Sequence, residues 1–215
     1  MTRNEACAIA ECRRCRRLSD HLTHVRAEFP EYYARPVAPF GDANPKLLIV
    51  GLAPGMHGAN RTGRPFTGDF AGILLYKTLY NHNLVNIPVV TGIDDGLKLN
   101  ACRITNAVKC LPPQNKPLPD EIHRCNDYLR DEISVLPQRA AILALGGIAH
   151  NAVLEAVGIK KKDYPFGHGL IHKLPGGRTL FDSYHCSRYN TQTRRLTESM
   201  FDKVMSEITR YISTV

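Results

Sequence analysis

The chain has 215 residues, 43% of them hydrophobic and 22% charged, which fits one soluble domain with a sizeable core. No run approaches the ~20 apolar residues that span a bilayer, and the N-terminus MTRNEACAIAECRRC lacks an apolar stretch of secretory-signal length, so a cytoplasmic protein is expected. A formal charge of +8 is the electrostatic footprint of a nucleic-acid binder, because Lys and Arg displace counterions condensed on phosphates.

In chain order, residues 1–45 are polar, cysteine-rich and without clear periodicity. KLLIVGLAP (46–54) reads as a buried strand ending in a Gly/Pro loop. DFAGILLYKTLYN (69–81) reads as a helix starting near Asp69. RITNAVK (103–109) is a second strand. PDEIHRCNDYLRDEISVL (119–136) is a helix with Ile122, Cys125, Leu129 and Ile133 on one face. AAILALGG (140–147) is a third strand, followed by a helix over IAHNAVLEAVG. GRTLFDSYH (177–185) is a fourth strand, and 191–212 reads as one closing helix, with Ser187 or Asn190 capping the turn before it. Alternation of this kind predicts an α/β fold: a three-layer α/β/α sandwich around a mostly parallel four-stranded sheet, in one domain over 1–215. Runs such as LLIV and AILAL suit a sheet buried on both faces. Ligands in such folds sit at the carboxyl ends of strands. Three of the four strands end in a polar segment, after Val50, at Asn106 and at His185, which points to one composite site.

The segment after the first strand, GLAPGMHGANRTGRPFTGDFAG (51–72), carries six glycines and two prolines. Glycines there let backbone N–H groups approach a ligand, but neither a Walker loop nor GxGxxG is present. Asn60, Arg61, Arg64, Phe66 and Asp69 supply hydrogen bonding, charge, a stacking surface and a carboxylate within ten residues. Asn106 at a strand end offers donor and acceptor to a base edge; His185 sits at a strand tip before a polar, basic loop. Charge clusters beside these features: Arg13, Arg14, Arg16 and Arg17 near the first cysteines, and Arg188, Arg194 and Arg195 near His185.

Seven cysteines are many for a reducing compartment, where metal or cluster ligation is favoured over disulfides. Cys12 and Cys15 form a C-x-x-C pair; Cys110 and Cys125 form a second, wider one. Their spacing leaves zinc, a [4Fe–4S] cluster and, for the second pair, plain apolar burial all open.

Taken together, GLAPG-x-HG-x-NRTGR-x-FTGD (51–69), Asn106 in TNAVKC and YH-x-SR-x-N (184–190) resemble the uracil-DNA glycosylase superfamily, and most of all its family 5 (type B) iron–sulfur branch, over nearly the whole chain. The resemblance implies a uracil-DNA glycosylase-like fold and hydrolysis of the N-glycosidic bond of uracil, with hypoxanthine or xanthine as further candidates, in DNA. It implies a structural [4Fe–4S] cluster held by Cys12, Cys15, Cys110 and Cys125 that ties segment 1–45 to the domain, with no ligand role for Cys7, Cys102 or Cys186. Two positions depart from the family pattern. Cys186 follows His185 where Pro is usual, so that loop is expected to be less rigid, and Gly55 stands where type B enzymes often have Ala.

Such chemistry needs the nucleotide flipped out, the base held and charge stabilised on sugar and leaving group. The assignment is Phe66 stacking on the base, Asn106 bonding its edge, His185 donating to the oxygen that becomes anionic, and Asp69 orienting water beside a cationic sugar. Gly51, Ala53, Pro54, Gly55, His57, Asn60, Arg61, Arg64, Ser187, Arg188 and Asn190 are expected around the base and DNA, with Tyr189, Arg194 and Arg195 gripping phosphates or wedging into the stack. A monomer is expected. Two rivals remain: an iron–sulfur DNA-binding or redox-sensing protein without catalysis, and a zinc-stabilised nucleotide-binding domain, which the missing P-loop Lys disfavours.

Overall fold

A computed structural model describes residues 8–214; Cys7 lies outside them. Four five-residue strands form the centre of the sheet: β2 (Leu47–Gly51), β3 (Cys102–Asn106), β4 (Ala141–Leu145) and β6 (Thr179–Ser183). Every residue in them is buried, as the near-continuous apolar runs require. They pair in parallel. Two short edge strands that periodicity does not reveal, β1 (Phe40–Gly41) and β5 (Ile171–Lys173), add antiparallel partners. The sheet is therefore six-stranded, in the order β1-β3-β2-β4-β6-β5.

Side chains alternate across this sheet and so feed two cores. Leu47, Ile49, Ile104, Leu143 and Phe181 face one side, with Leu74, Leu75 and Leu79 of α3 (Phe70–Asn81) and Phe201, Met205 and Ile208 of α7 (Glu198–Ser213). Leu48, Val50, Ile142, Ala144 and Leu180 face the other, with Leu129 and Ile133 of α4 (Pro119–Ser134) and Ala149, Ala152 and Val153 of α5 (Gly147–Ala156). Each fully buried Leu or Ile contributes roughly 1.5–3 kcal/mol. The three-layer arrangement follows directly.

Two stretches differ from the sequence-based reading. The N-terminal region carries a 13-residue helix, α1 (Arg16–Glu28), whose Leu18, Leu22 and Val25 are buried; Leu22 and Val25 pack with Ala34 and Leu111 in a third, small core. The closing helix is broken in two. Ser187 caps α6 (Arg188–Gln192) by accepting from Asn190 N–H, the chain turns with Arg194 in the left-handed region (φ 59°), and Thr197 caps α7 by accepting from Met200 N–H at 3.2 Å. Between α1 and α3 lies the four-residue α2 (Ala59–Thr62). Among the described residues, no helix is long and apolar enough to cross a membrane.

Candidate active site

The parallel register sets the carboxyl ends of the central strands side by side, with Gly51 opposite Asn106 and Leu145 opposite Ser183. The chain leaves β2 on one side to form β3 and returns on the other to form β4. That reversal opens a crevice beyond the strand ends, as in other open α/β sheets. A cavity of about 510 Å³ occupies it, lined among others by Ala53, Gly55, Phe66, Asp69, Asn106, His185, Ser187 and Arg188, a size suited to a small ring-bearing ligand.

Asp69 stands at the N-cap position of α3 but does not cap its own helix. Its carboxylate accepts from Ala59 N–H at 3.1 Å, at the start of α2. Gly55 and Gly58 make room for it: a Cβ on either would collide with the carboxylate. Burial raises the Asp69 carboxyl above its ordinary value, with the Ala59 N–H and the charge of Arg61 pulling the other way.

Asn106 is 3% exposed, and its Oδ1 has no hydrogen-bond partner. An orphaned buried acceptor at a cavity wall costs about 1–3 kcal/mol unless a ligand or water meets it. Gly51 is the spacer beneath it, since a Cβ there would strike both Asn106 Oδ1 and the Phe66 ring. Phe66 is held at φ 57°, a left-handed conformation rare outside Gly, with Gly72 of α3 leaving space for its carbonyl. Its ring lies nearly parallel to that of His185, centroids 5.9 Å apart. Burial pushes the His185 imidazole down to about 4, so the ring is neutral at physiological pH. Asn190 Nδ2 donates to the His185 carbonyl at 2.8 Å and fixes the loop, so Asn190 supports the site from behind. Cys186 is fully buried in the core that also holds Leu196 and Phe201.

Not every expected residue reaches the cavity. Arg64, placed at DNA by the sequence, is 2% exposed. It bonds Thr67 Oγ1 at 2.8 Å, Asp95 Oδ2 at 2.6 Å and the Gly92 carbonyl, and so ties two loops together. Asn60 is fully buried with Nδ2 toward the Met56 carbonyl at 3.4 Å. Pro54 is buried beside the cavity; His57 is exposed and bonded through Nδ1 to Tyr32 Oη at 2.8 Å, and Arg61 Nε donates to the His57 carbonyl. Arg188 stands over the Phe70 ring at 4.9 Å, Arg195 over Tyr184 at 4.6 Å, and Tyr189 is 69% exposed. The residues missed are Phe70, Asn115 and the Gly146–Gly147–Ile148 turn after β4. The Gly-Gly pair was the available signal: Gly146 has φ 97° and passes close to His185 Cβ. The N-termini of α3 and α5 both open onto the cavity, and their dipoles favour negative charge developing there.

Cys12, Cys15, Cys110 and Cys125 line a second, separate cavity. Arg17 binds Glu121 with two short bonds, 2.8 and 2.7 Å, and Arg14 meets Asp127 at 3.1 Å, so α1 and the segment before it are tied to α4 beside the cysteine cavity. The basic cluster at the first cysteines thus pairs largely within the protein. Burial raises the thiols of Cys15 and Cys110 and pushes Cys125 to about 11. Among the described residues, the His, Cys, Asp or Glu ligand atoms that gather within 4.8 Å in a group of three are those of His150, His172 and Asp182. In the His150 group both imidazole nitrogens face acceptors, Asp182 Oδ1 and the Tyr164 carbonyl, each at 2.8 Å.

Fold and cavity together define a class: an α/β protein with a cavity at the switch point of its sheet, lined by Phe66, Asp69, Asn106 and His185. The model of the uracil DNA glycosylase superfamily matches residues 38–209. Proteins named type-5 uracil-DNA glycosylase are similar over most of the chain. That of Thermus thermophilus is 46% identical over 207 residues, 94% of each chain. That of Mycobacterium tuberculosis is 43% identical, covering 93% of this chain and 77% of its own, and that of Pyrobaculum aerophilum is 40% identical, covering 92% and 87%. The chain belongs to the uracil DNA glycosylase superfamily.

Proposed function

We propose that this chain, acting as a monomeric single domain in the cytoplasm, hydrolyses the N-glycosidic bond of uracil in DNA and leaves an abasic site. The observation that carries the reading is the convergence on one cavity of Asn106 and His185, from the ends of β3 and β6, with Asp69, from the N-terminus of α3. Phe66 stacks against the flipped base. The orphaned amide of Asn106 bonds its edge and neutral His185 donates to the oxygen that gains charge, aided by the N-termini of α3 and α5. Asp69, seated against Ala59 N–H in the space left by Gly55 and Gly58, holds the attacking water and faces the cationic sugar. Ala53, Gly55, Ser187 and Arg188 border the strand at the mouth.

The four thiols suit a [4Fe–4S] cluster: all line one cavity, and four thiolates are the usual donor set of such a cluster. Cys12, Cys15, Cys110 and Cys125 would hold it, and it supplies a cross-link between α1, α4 and the segment after β3.

The test is incubation of anaerobically purified protein with an oligonucleotide carrying one uracil, then alkali to cut abasic sites. Uracil-dependent cleavage is expected, with hypoxanthine and xanthine substrates tried next. A brown, iron-loaded preparation that binds the DNA but yields no cleavage points instead to an iron–sulfur DNA-binding protein.

A further inference from the structure

Lys109 is an unusual residue to bury. It is 1% exposed and forms an ion pair with Glu132 at 2.6 Å. Its Nζ also donates to Thr105 Oγ1 at 2.5 Å and to the Asn106 carbonyl at 2.9 Å, so all three of its N–H bonds are used. Glu132 Oε2 has no partner, so the pair is only partly compensated. Buried pairs of this kind rarely repay their desolvation in stability, and an apolar pair of similar size is often as stable or more so. The position of Lys109 gives the pair another purpose. It lies three residues after Asn106, whose carbonyl its ammonium grips, and one before Cys110. Its backbone N–H donates to Cys125 Sγ at 3.3 Å, and its carbonyl accepts from Val37 N–H at 2.7 Å. Five residues, 106–110, thus run from the candidate active site to the cysteine cavity, and Lys109 is bonded at both ends.

The Asn106 amide needs such a hold. Its Oδ1 has no bond within the protein, so the aim of that side chain depends on the backbone carrying it. The carbonyl of Asn106 lies at the last residue of β3, where the strand ladder ends.

We propose that Lys109 is a positioning residue for Asn106, setting the angle at which the amide meets the base and anchoring that setting to the cysteine site. The proposal rests on the glycosylase reading above. A displacement of about 1 Å in a reacting group costs on the order of 10²-fold in rate. Losing the ammonium should therefore slow base excision by about that factor, entirely through Asn106.

The experiment is a double-mutant cycle. Lys109→Met alone strands the Glu132 carboxylate and risks misfolding, so the principal variant is K109M/E132L, which removes both charges. It is compared with the parent, with N106A and with the triple variant. Three quantities are read: iron per chain, single-turnover excision from a uracil oligonucleotide, and affinity for the same oligonucleotide carrying non-hydrolysable 2′-fluoro-2′-deoxyuridine. The expected result is unchanged iron content, about 10²-fold slower excision and weaker analogue binding in the parent background. In the N106A background the same change should cost less than about 3-fold, since residues acting through one another are not additive. Equal losses in both backgrounds would mean general packing damage, and undiminished excision by K109M/E132L would mean that Asn106 needs no such support; either overturns the proposal. A parent that never excises uracil would instead overturn the glycosylase reading.

Discussion

Burial moves the two candidate catalytic groups away from their ordinary values: the Asp69 carboxyl upward from 3.8, the His185 imidazole down from 6.5 to about 4. If the water-orienting carboxylate must be ionised, excision rises with pH through the raised Asp69 value. The acid limb of kcat/KM should therefore lie above 3.8 and belong to Asp69. D69N should lose on the order of 10²–10³ in rate. H185A should lose a similar factor yet leave the acid limb in place; disappearance of the limb in H185A would reverse the two roles. Stability carries a linked sign. The folded His185 value lies below the unfolded one, so its contribution is full above 6.5 and is eroded as pH falls toward about 4. Gly58 gives a subtler probe. Its φ is −108°, so Ala imposes no left-handed strain, and the effect of a Cβ is the collision with the Asp69 carboxylate. G58A should stay folded by circular dichroism while losing activity as D69N does. An active G58A would mean that the carboxylate has freedom to move aside. Asp69 and His185 were legible as candidates because each stands in a polar segment that follows a buried strand. The glycines beside Asp69 read in sequence as places where backbone N–H groups approach a ligand; the space that Gly55 and Gly58 leave for one carboxylate exists only once α2 and α3 are packed.

Elements declared themselves in proportion to their burial. The four central strands and α3, α4 and α5 carry dense apolar patterns and fall within a few residues of where periodicity places them. Helix α1 did not stand out, since its Leu18, Leu22 and Val25 lie among charged neighbours and face only a small satellite core. The break between α6 and α7 was signalled by Thr197, an N-cap type, but the polar run around it reads equally well as a helix surface. Arg64 shows the opposite error, a charge in a ligand-like loop that turns inward. Against the upward push of burial, its hydrogen bond and the N–H groups of Leu97, Gly92 and Thr91 hold the Asp95 carboxyl at about 2. R64M would take away the cation but leave that half-buried carboxylate its bonds from Thr91, Gly92 and Leu97 N–H, at a cost of about 1–3 kcal/mol. Chemical denaturation should show that loss, along with loosening of the 91–97 loop in hydrogen exchange. The stabilisation from Asp95 is present above 3.8 and fades as pH falls toward about 2, so the difference between R64M and parent should shrink in acid. Normal stability with weakened DNA binding would instead return Arg64 to the DNA face.

At the scale of the whole molecule, the 28 lysines and arginines overstate the cations free to meet phosphates. Arg14, Arg17, Arg64 and Lys109 are engaged with Asp127, Glu121, Asp95 and Glu132. Composition can count cations but cannot say which ones the fold consumes, and the cluster of N-terminal arginines shows it. Arg188 differs: exposed at the mouth of the candidate active site, it is steadied by the face of Phe70 rather than by an acid. Each phosphate neutralised by a cation contributes about 0.9 to the slope of log K against log salt on duplex DNA. R188A should therefore weaken binding of an abasic-product duplex about equally across sequences and lower that slope by about one. R17A should leave the slope unchanged and instead lower stability and iron retention, because Arg17 holds α1 against Glu121 over the four thiols. Fluorescence anisotropy across a salt series separates the two. A slope that falls with R17A and not with R188A would move the DNA-binding face from the carboxyl ends of the strands to α1, and the candidate active site would then have to be reached from there.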